Sequence, residues 1–117
     1  MRVVLAMIIA GLINIAAVEA ATAIRGAEIT VLLSDVTLTG NKNGKVIQQI
    51  FQKGGLTLYL ENGAQSVGTW KVEGDKYCSQ WPPNESWSCY EVEVEGQNLT
   101  FIASSGTRYP MLLPHAK

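Results

Sequence analysis

The feature that most constrains this chain is how often it is told to turn. Asn41-Lys42-Asn43-Gly44, Gly54-Gly55, Asn62-Gly63, Gly74-Asp75, Gly96 and Ser104-Ser105-Gly106 punctuate it at short intervals. Gly and Asn tolerate positive φ, so each signal marks a place where the backbone can reverse. Asn62-Gly63 is the strongest, fitting a two-residue hairpin turn. Between the turns lie short runs of β-branched and aromatic residues that alternate with period two. Leu56, Leu58 and Leu60 make one face against Thr57, Tyr59 and Glu61. Tyr90, Val92 and Val94 oppose Glu91, Glu93 and Glu95, and Leu99, Phe101 and Ala103 make another apolar face.

Strands are predicted near 36–40, 45–52, 56–61, 65–73, 76–79, 87–95, 98–103 and 107–113. The predicted fold class is mainly β: an antiparallel meander of about eight short strands. Such a meander can curl into a small closed or nearly closed barrel, which removes exposed sheet edges. A two-sheet β-sandwich is the alternative. An eight-stranded barrel is either filled by its own side chains or holds one small ligand. With Trp70, Tyr90, Phe101 and several leucines available, a mostly filled interior is expected. Before the meander, Ile29, Leu32, Leu33 and Val36 recur at helical spacing, while Ile29, Val31 and Leu33 also alternate as a strand would. The Asp35 that follows and the β-rich Val36–Thr39 favour a short N-terminal helix ending near Ser34.

The first residues read as an address. Arg2 supplies a positive start, an apolar run extends from Val3 to Val18, and small residues cluster at Ala20, Ala21 and Ala23, the grammar of a secretory signal peptide. The run is shorter than the roughly 20 apolar residues of a membrane span and contains Asn14. Cleavage after Ala20 is favoured, and cleavage after Ala23 also fits. Residues 1–20 are thus expected to leave a single domain over 21–117, without stable membrane insertion. Removing Arg2 and Glu19 leaves the net charge at −1, which offers no electrostatic footprint for nucleic acid.

Cys78 and Cys89 are the only cysteines, and an even count in an exported chain reads as a disulfide. A bridge over so short a loop contributes on the order of 2–3 kcal/mol, and its Cα atoms are expected about 5.5–6 Å apart. A metal site lacks ligands, since there is no third Cys and the single His is His115 near the end of the chain.

The most distinctive stretch, Gly68 to Tyr90, reads GTWKVEGDKYCSQWPPNESWSCY. A Gly-x-Trp strand, a Gly-Asp turn, Tyr-Cys, a Trp-containing loop and Cys-Tyr resemble a group of small secreted bacterial proteins of unknown function. Gly68, Trp70, Cys78, Trp81, Cys89 and Tyr90 carry the resemblance, which would span roughly residues 27–112. It implies a lipocalin-like small barrel and a periplasmic or secreted location, and brings no catalytic residues. On the residues themselves, Pro82 and Pro83 stiffen the loop because each fixes its φ. Trp81 and Trp87 then either cover the core or are displayed for binding, and Trp is enriched in binding hot spots. A groove beside Tyr59 or Tyr109 is where such a Trp would act.

A second segment, Ala103 to Tyr109, is similar to the Ser-Gly-x-x-Tyr loop of periplasmic C-type lysozyme inhibitors, with Ser105 at the position of that family's inserting serine and Arg108 within the same turn. The Trp-x-Lys segment that follows in that family is absent, as is its cysteine spacing.

Catalysis is not expected. No usable His supports a nucleophilic triad. Glu91, Glu93 and Glu95 alternate with apolar residues as the wet side of a sheet does, and no phosphate-binding glycine loop opens a helix. No cofactor is expected. Asn84-Glu85-Ser86 and Asn98-Leu99-Thr100 match the glycan acceptor pattern, accidental in a bacterial protein. The chain therefore reads as an exported, non-enzymatic envelope protein, a small binding module. Its partner would be a small apolar ligand or an envelope protein, met through the barrel mouth or the Trp-rich loop, with Tyr59, Trp81, Trp87 and Tyr109 as candidate residues. The alternative is an inhibitor of a lysozyme-like hydrolase acting through the Ser104–Tyr109 turn.

Overall fold

The computed structural model describes residues 20–115; the signal-peptide reading of the first residues falls almost wholly outside them. A short strand β1 (Thr22–Ile24) leads into helix α1 (Ala27–Leu33). Eight strands follow: β2 (Val36–Lys42), β3 (Lys45–Phe51), β4 (Leu56–Glu61), β5 (Ala64–Glu73), β6 (Lys76–Gln80), β7 (Trp87–Glu95), β8 (Asn98–Ala103) and β9 (Arg108–Leu112). Each of these eight pairs antiparallel with the next, and β9 returns to β2 through Thr39 and Leu112, closing an eight-stranded barrel. β1 is the extra strand. It pairs with Val92–Val94 of β7, where β6 has already ended, and so covers an edge that would otherwise present unpaired backbone.

The turns fall where Asn and Gly were read. Asn43-Gly44 and Asn62-Gly63 both have positive φ at both residues, as a type I′ hairpin requires. The second sets the register Glu61↔Ala64, and from it Leu58↔Val67 and Thr57↔Gly68. In α1 the helical reading holds: Ile29 and Leu33 are fully buried, while Val31, which a strand would have turned inward with them, is 80% exposed.

The helix makes the two barrel ends unlike. At one end Ile29 and Leu33 join Leu38, Phe51, Trp70, Val92 and Leu99 in the core. Phe51 meets the rings of Trp70 and Tyr77 edge-on at 5.7 and 5.6 Å, and Trp70 Nε1 donates to the Gln52 carbonyl at 2.9 Å.

Alternation leaves open which face of β4 is inside. The leucine face of β4 points outward, Leu56 being 46% exposed, and Thr57 and Tyr59 point in. Directly paired residues share a face, and Thr57 sits opposite both the inward Phe51 and the Gly68 that shares its face with Trp70. The interior is also not filled throughout, because a cleft opens at the end away from the helix. Finally, the Cys78–Cys89 disulfide is present, but its Cα atoms are 4.0 Å apart, nearer than expected. The two cysteines are direct cross-strand partners, a placement that brings Cα atoms closer than most disulfides require.

Candidate functional site

The cleft at the open mouth has a volume of about 360 Å³, near the small end of ligand pockets. Its walls are ring faces and edges. Tyr59 from β4 and Trp81 just after β6 form one edge-to-face pair at 6.2 Å. Tyr90 from β7 and Tyr109 from β9 form another at 6.0 Å. Tyr77 and Phe101 lie close together between β6 and β8, with centroids 4.7 Å apart. Ile47 and Met111 complete the apolar lining.

Trp81 is held there by the sequence on both sides of it. A Cβ on Gly68 would lie 2.5 Å from the Gln80 carbonyl oxygen and 2.7 Å from Trp81 Cε3, so only glycine leaves room for the indole. Trp81 Nε1 donates to Ser79 Oγ at 3.1 Å. The loop beyond is tied back through Asn84 N–H to the Trp81 carbonyl and Gln80 Nε2 to the Glu85 carbonyl.

A short polar chain runs through the buried part of the site. Thr57 Oγ1 donates to the Ile50 carbonyl at 2.9 Å and accepts from Gln49 Nε2 at 3.1 Å. The other Nε2 hydrogen goes to Tyr77 Oη, also at 3.1 Å. Gln49, Thr57 and Tyr77 are all buried. Burial pushes the Tyr77 phenol up to about 12, against the smaller opposing effect of hydrogen bonds from Ser79 and Gln49. Burial, and then the Glu61 carboxylate, also raise Tyr59; burial, and then Tyr109, raise Tyr90. These three phenols are neutral hydrogen-bonding groups at physiological pH. Among the described residues Lys42 is the one charged residue in the lining, and its Nζ lies 3.3 Å from Glu61 Oε1 at the rim.

Of the four residues expected to bind, the structure brings Tyr59, Trp81 and Tyr109 to one cleft. Trp87 lies elsewhere: it is 39% exposed, and Lys71 Nζ sits 4.2 Å from its ring centroid. Sequence reasoning missed Gln49, Thr57, Tyr77 and Ser79. For Tyr77 and Ser79 a signal existed, since they flank Cys78 on β6 and therefore share the face opposite to it. In the 104–109 turn, Ser105 Oγ bonds Thr107 Oγ1 at 2.9 Å, and Arg108 reaches Glu93 at 2.6 Å.

Compared with known proteins, the chain matches no family model, no curated protein and no solved structure. Among the described residues, no helix is long and apolar enough to cross a membrane, and no three His, Cys, Asp or Glu side chains converge as a metal site would need.

Proposed function

We propose that this is an exported, non-enzymatic binding protein of the bacterial envelope that holds a small, largely apolar ligand in the open mouth of its barrel. One observation carries the reading: six aromatic side chains converge on a cleft at one end of the barrel while a helix seals the other. Ordinarily a small domain spends its aromatics on its core. Here Tyr59, Trp81, Tyr90 and Tyr109 are only partly buried or exposed, a concave apolar surface with few convergent polar groups. Export is supported by the disulfide and by the N-terminal sequence. Cleavage after Ala20 would leave β1 whole, whereas cleavage after Ala23 would remove Thr22 and Ala23 and their pairing with β7. The likeness to small secreted bacterial proteins and to lipocalins belongs to the same proposal. Inhibition through the 104–109 turn has less support, because Ser105 and Arg108 are engaged with their own neighbours.

The test is backbone amide chemical-shift mapping of the mature protein with a panel of small ring fragments. Saturable shifts at Ile47, Gln49, Tyr59 and Tyr109, with Trp87 unmoved, are the expected result. Shifts confined to the outer face, or none at millimolar fragment, would overturn the proposal.

A further inference from the structure

The buried polar chain says more about the ligand than the aromatic walls do. Thr57 Oγ1 has one proton, and it is committed to the Ile50 carbonyl. Towards Gln49, Thr57 can therefore only accept, which fixes the Gln49 amide with Nε2 towards Thr57 and excludes the flipped orientation. The second Nε2 hydrogen is used on Tyr77 Oη. Both donors of Gln49 are thus spent inside the protein. Its Oε1 is left as an acceptor with no protein donor among the described residues, on a residue only 8% exposed that lines the cleft. A buried acceptor without a donor is costly, and satisfying it is correspondingly favourable.

The rest of the lining narrows the class. Apart from the ring residues, the polar lining is Gln49, Ser79 and Lys42. Ser79 already receives Trp81 Nε1–H, and Lys42 is balanced by Glu61. Among the described residues, a charged ligand would meet no unpaired opposite charge in the cleft. Flat rings, in contrast, suit walls built of edge-to-face aromatic pairs.

We infer that the cleft is selective for a small, uncharged, planar aromatic molecule that presents an N–H or O–H donor to Gln49 Oε1. This rests on the mouth being a ligand site, and the test separates the two. Indole, 3-methylindole and 1-methylindole differ little in shape, but only the last lacks the donor. Each is titrated into the wild-type protein, following the Gln49 side-chain amide resonances and the Tyr59 and Tyr109 backbone amides. Indole and 3-methylindole should bind with similar affinity, and 1-methylindole at least about tenfold more weakly. In Gln49→Met the three affinities should converge to within about twofold. Equal binding of 1-methylindole to the wild type would overturn donor selectivity while leaving the ligand site standing. No shift at the mouth with any of the three would remove both. The wild-type comparison decides the matter even if the variant does not fold.

Discussion

The two ends of this barrel are built from the same kinds of residue and put to different use. At the closed end, Phe51 and Trp70 are packed under α1 and buried, Phe51 completely. At the open end, Tyr59, Trp81 and Tyr109 keep part of their surface free although they too meet neighbouring rings edge-on. The difference lies in what covers them. Seven residues of helix supply Ile29 and Leu33 as a plug at one end, whereas among the described residues the mouth has only the loop that carries Trp81. In a barrel this small, one helix decides which aromatics are core and which are available.

That contrast breaks most visibly under truncation. Phe51→Ala should cost about 3–5 kcal/mol, because it opens a cavity among fully buried neighbours. Tyr109→Ala, at a residue 49% exposed, should cost about 1 kcal/mol or less. Chemical denaturation of the two variants checks this, and equal losses would mean that the mouth is as much core as the floor.

Alkaline titration probes the boundary between the ends, where Tyr77 sits. Its folded pKa of about 12 lies above the ordinary 10. The unfolded chain therefore releases this proton first. The associated stability is fully present below pH 10 and is lost as pH rises from 10 towards 12, by up to about 2–3 kcal/mol. Unfolding midpoints measured across that range should fall less steeply in Tyr77→Phe, which has no phenol to ionise at that position.

Gly68→Ala sharpens the comparison at the mouth alone. The added methyl meets the Gln80 carbonyl and the Trp81 ring at distances that require movement, at a cost of about 1–3 kcal/mol. Trp81 should be the group that yields, so acrylamide quenching of tryptophan fluorescence should increase. An unchanged quenching constant would show that the strand moved instead of the indole.

Much of the frame was legible before any coordinates. The Asn-Gly pairs set the hairpins, the i, i+4 pair Ile29 and Leu33 marked the helix, and two cysteines admit a single pairing. Leu-Thr-Leu-Tyr-Leu on β4 was legible only in part. Alternation says which residues share a face and is silent on which face is inside. Yet the answer was within reach: the Asn62-Gly63 turn fixes Thr57 opposite Gly68, two residues from Trp70 on the same side of β5. β1 carried no local signal, since Thr22–Ile24 is strand only because β6 stops at Lys76 and leaves part of the β7 edge free.

By itself, then, the sequence determined where the chain turns, which residues share a face, which sulfurs can join and how many aromatics are at hand. Those are matters of φ preference, period and covalent chemistry, and they act over a few residues. Tertiary structure decided that Thr57 and Tyr59 point inward, that one end is sealed and the other open, and that the Gln49 amide donates to both Thr57 and Tyr77. Each of these depends on strands far apart in the chain meeting in register. Ile50 and Thr57 hold the Gln49 amide one way round, and Tyr77, 28 residues further on, takes its last hydrogen, a contact that exists only once the barrel has closed.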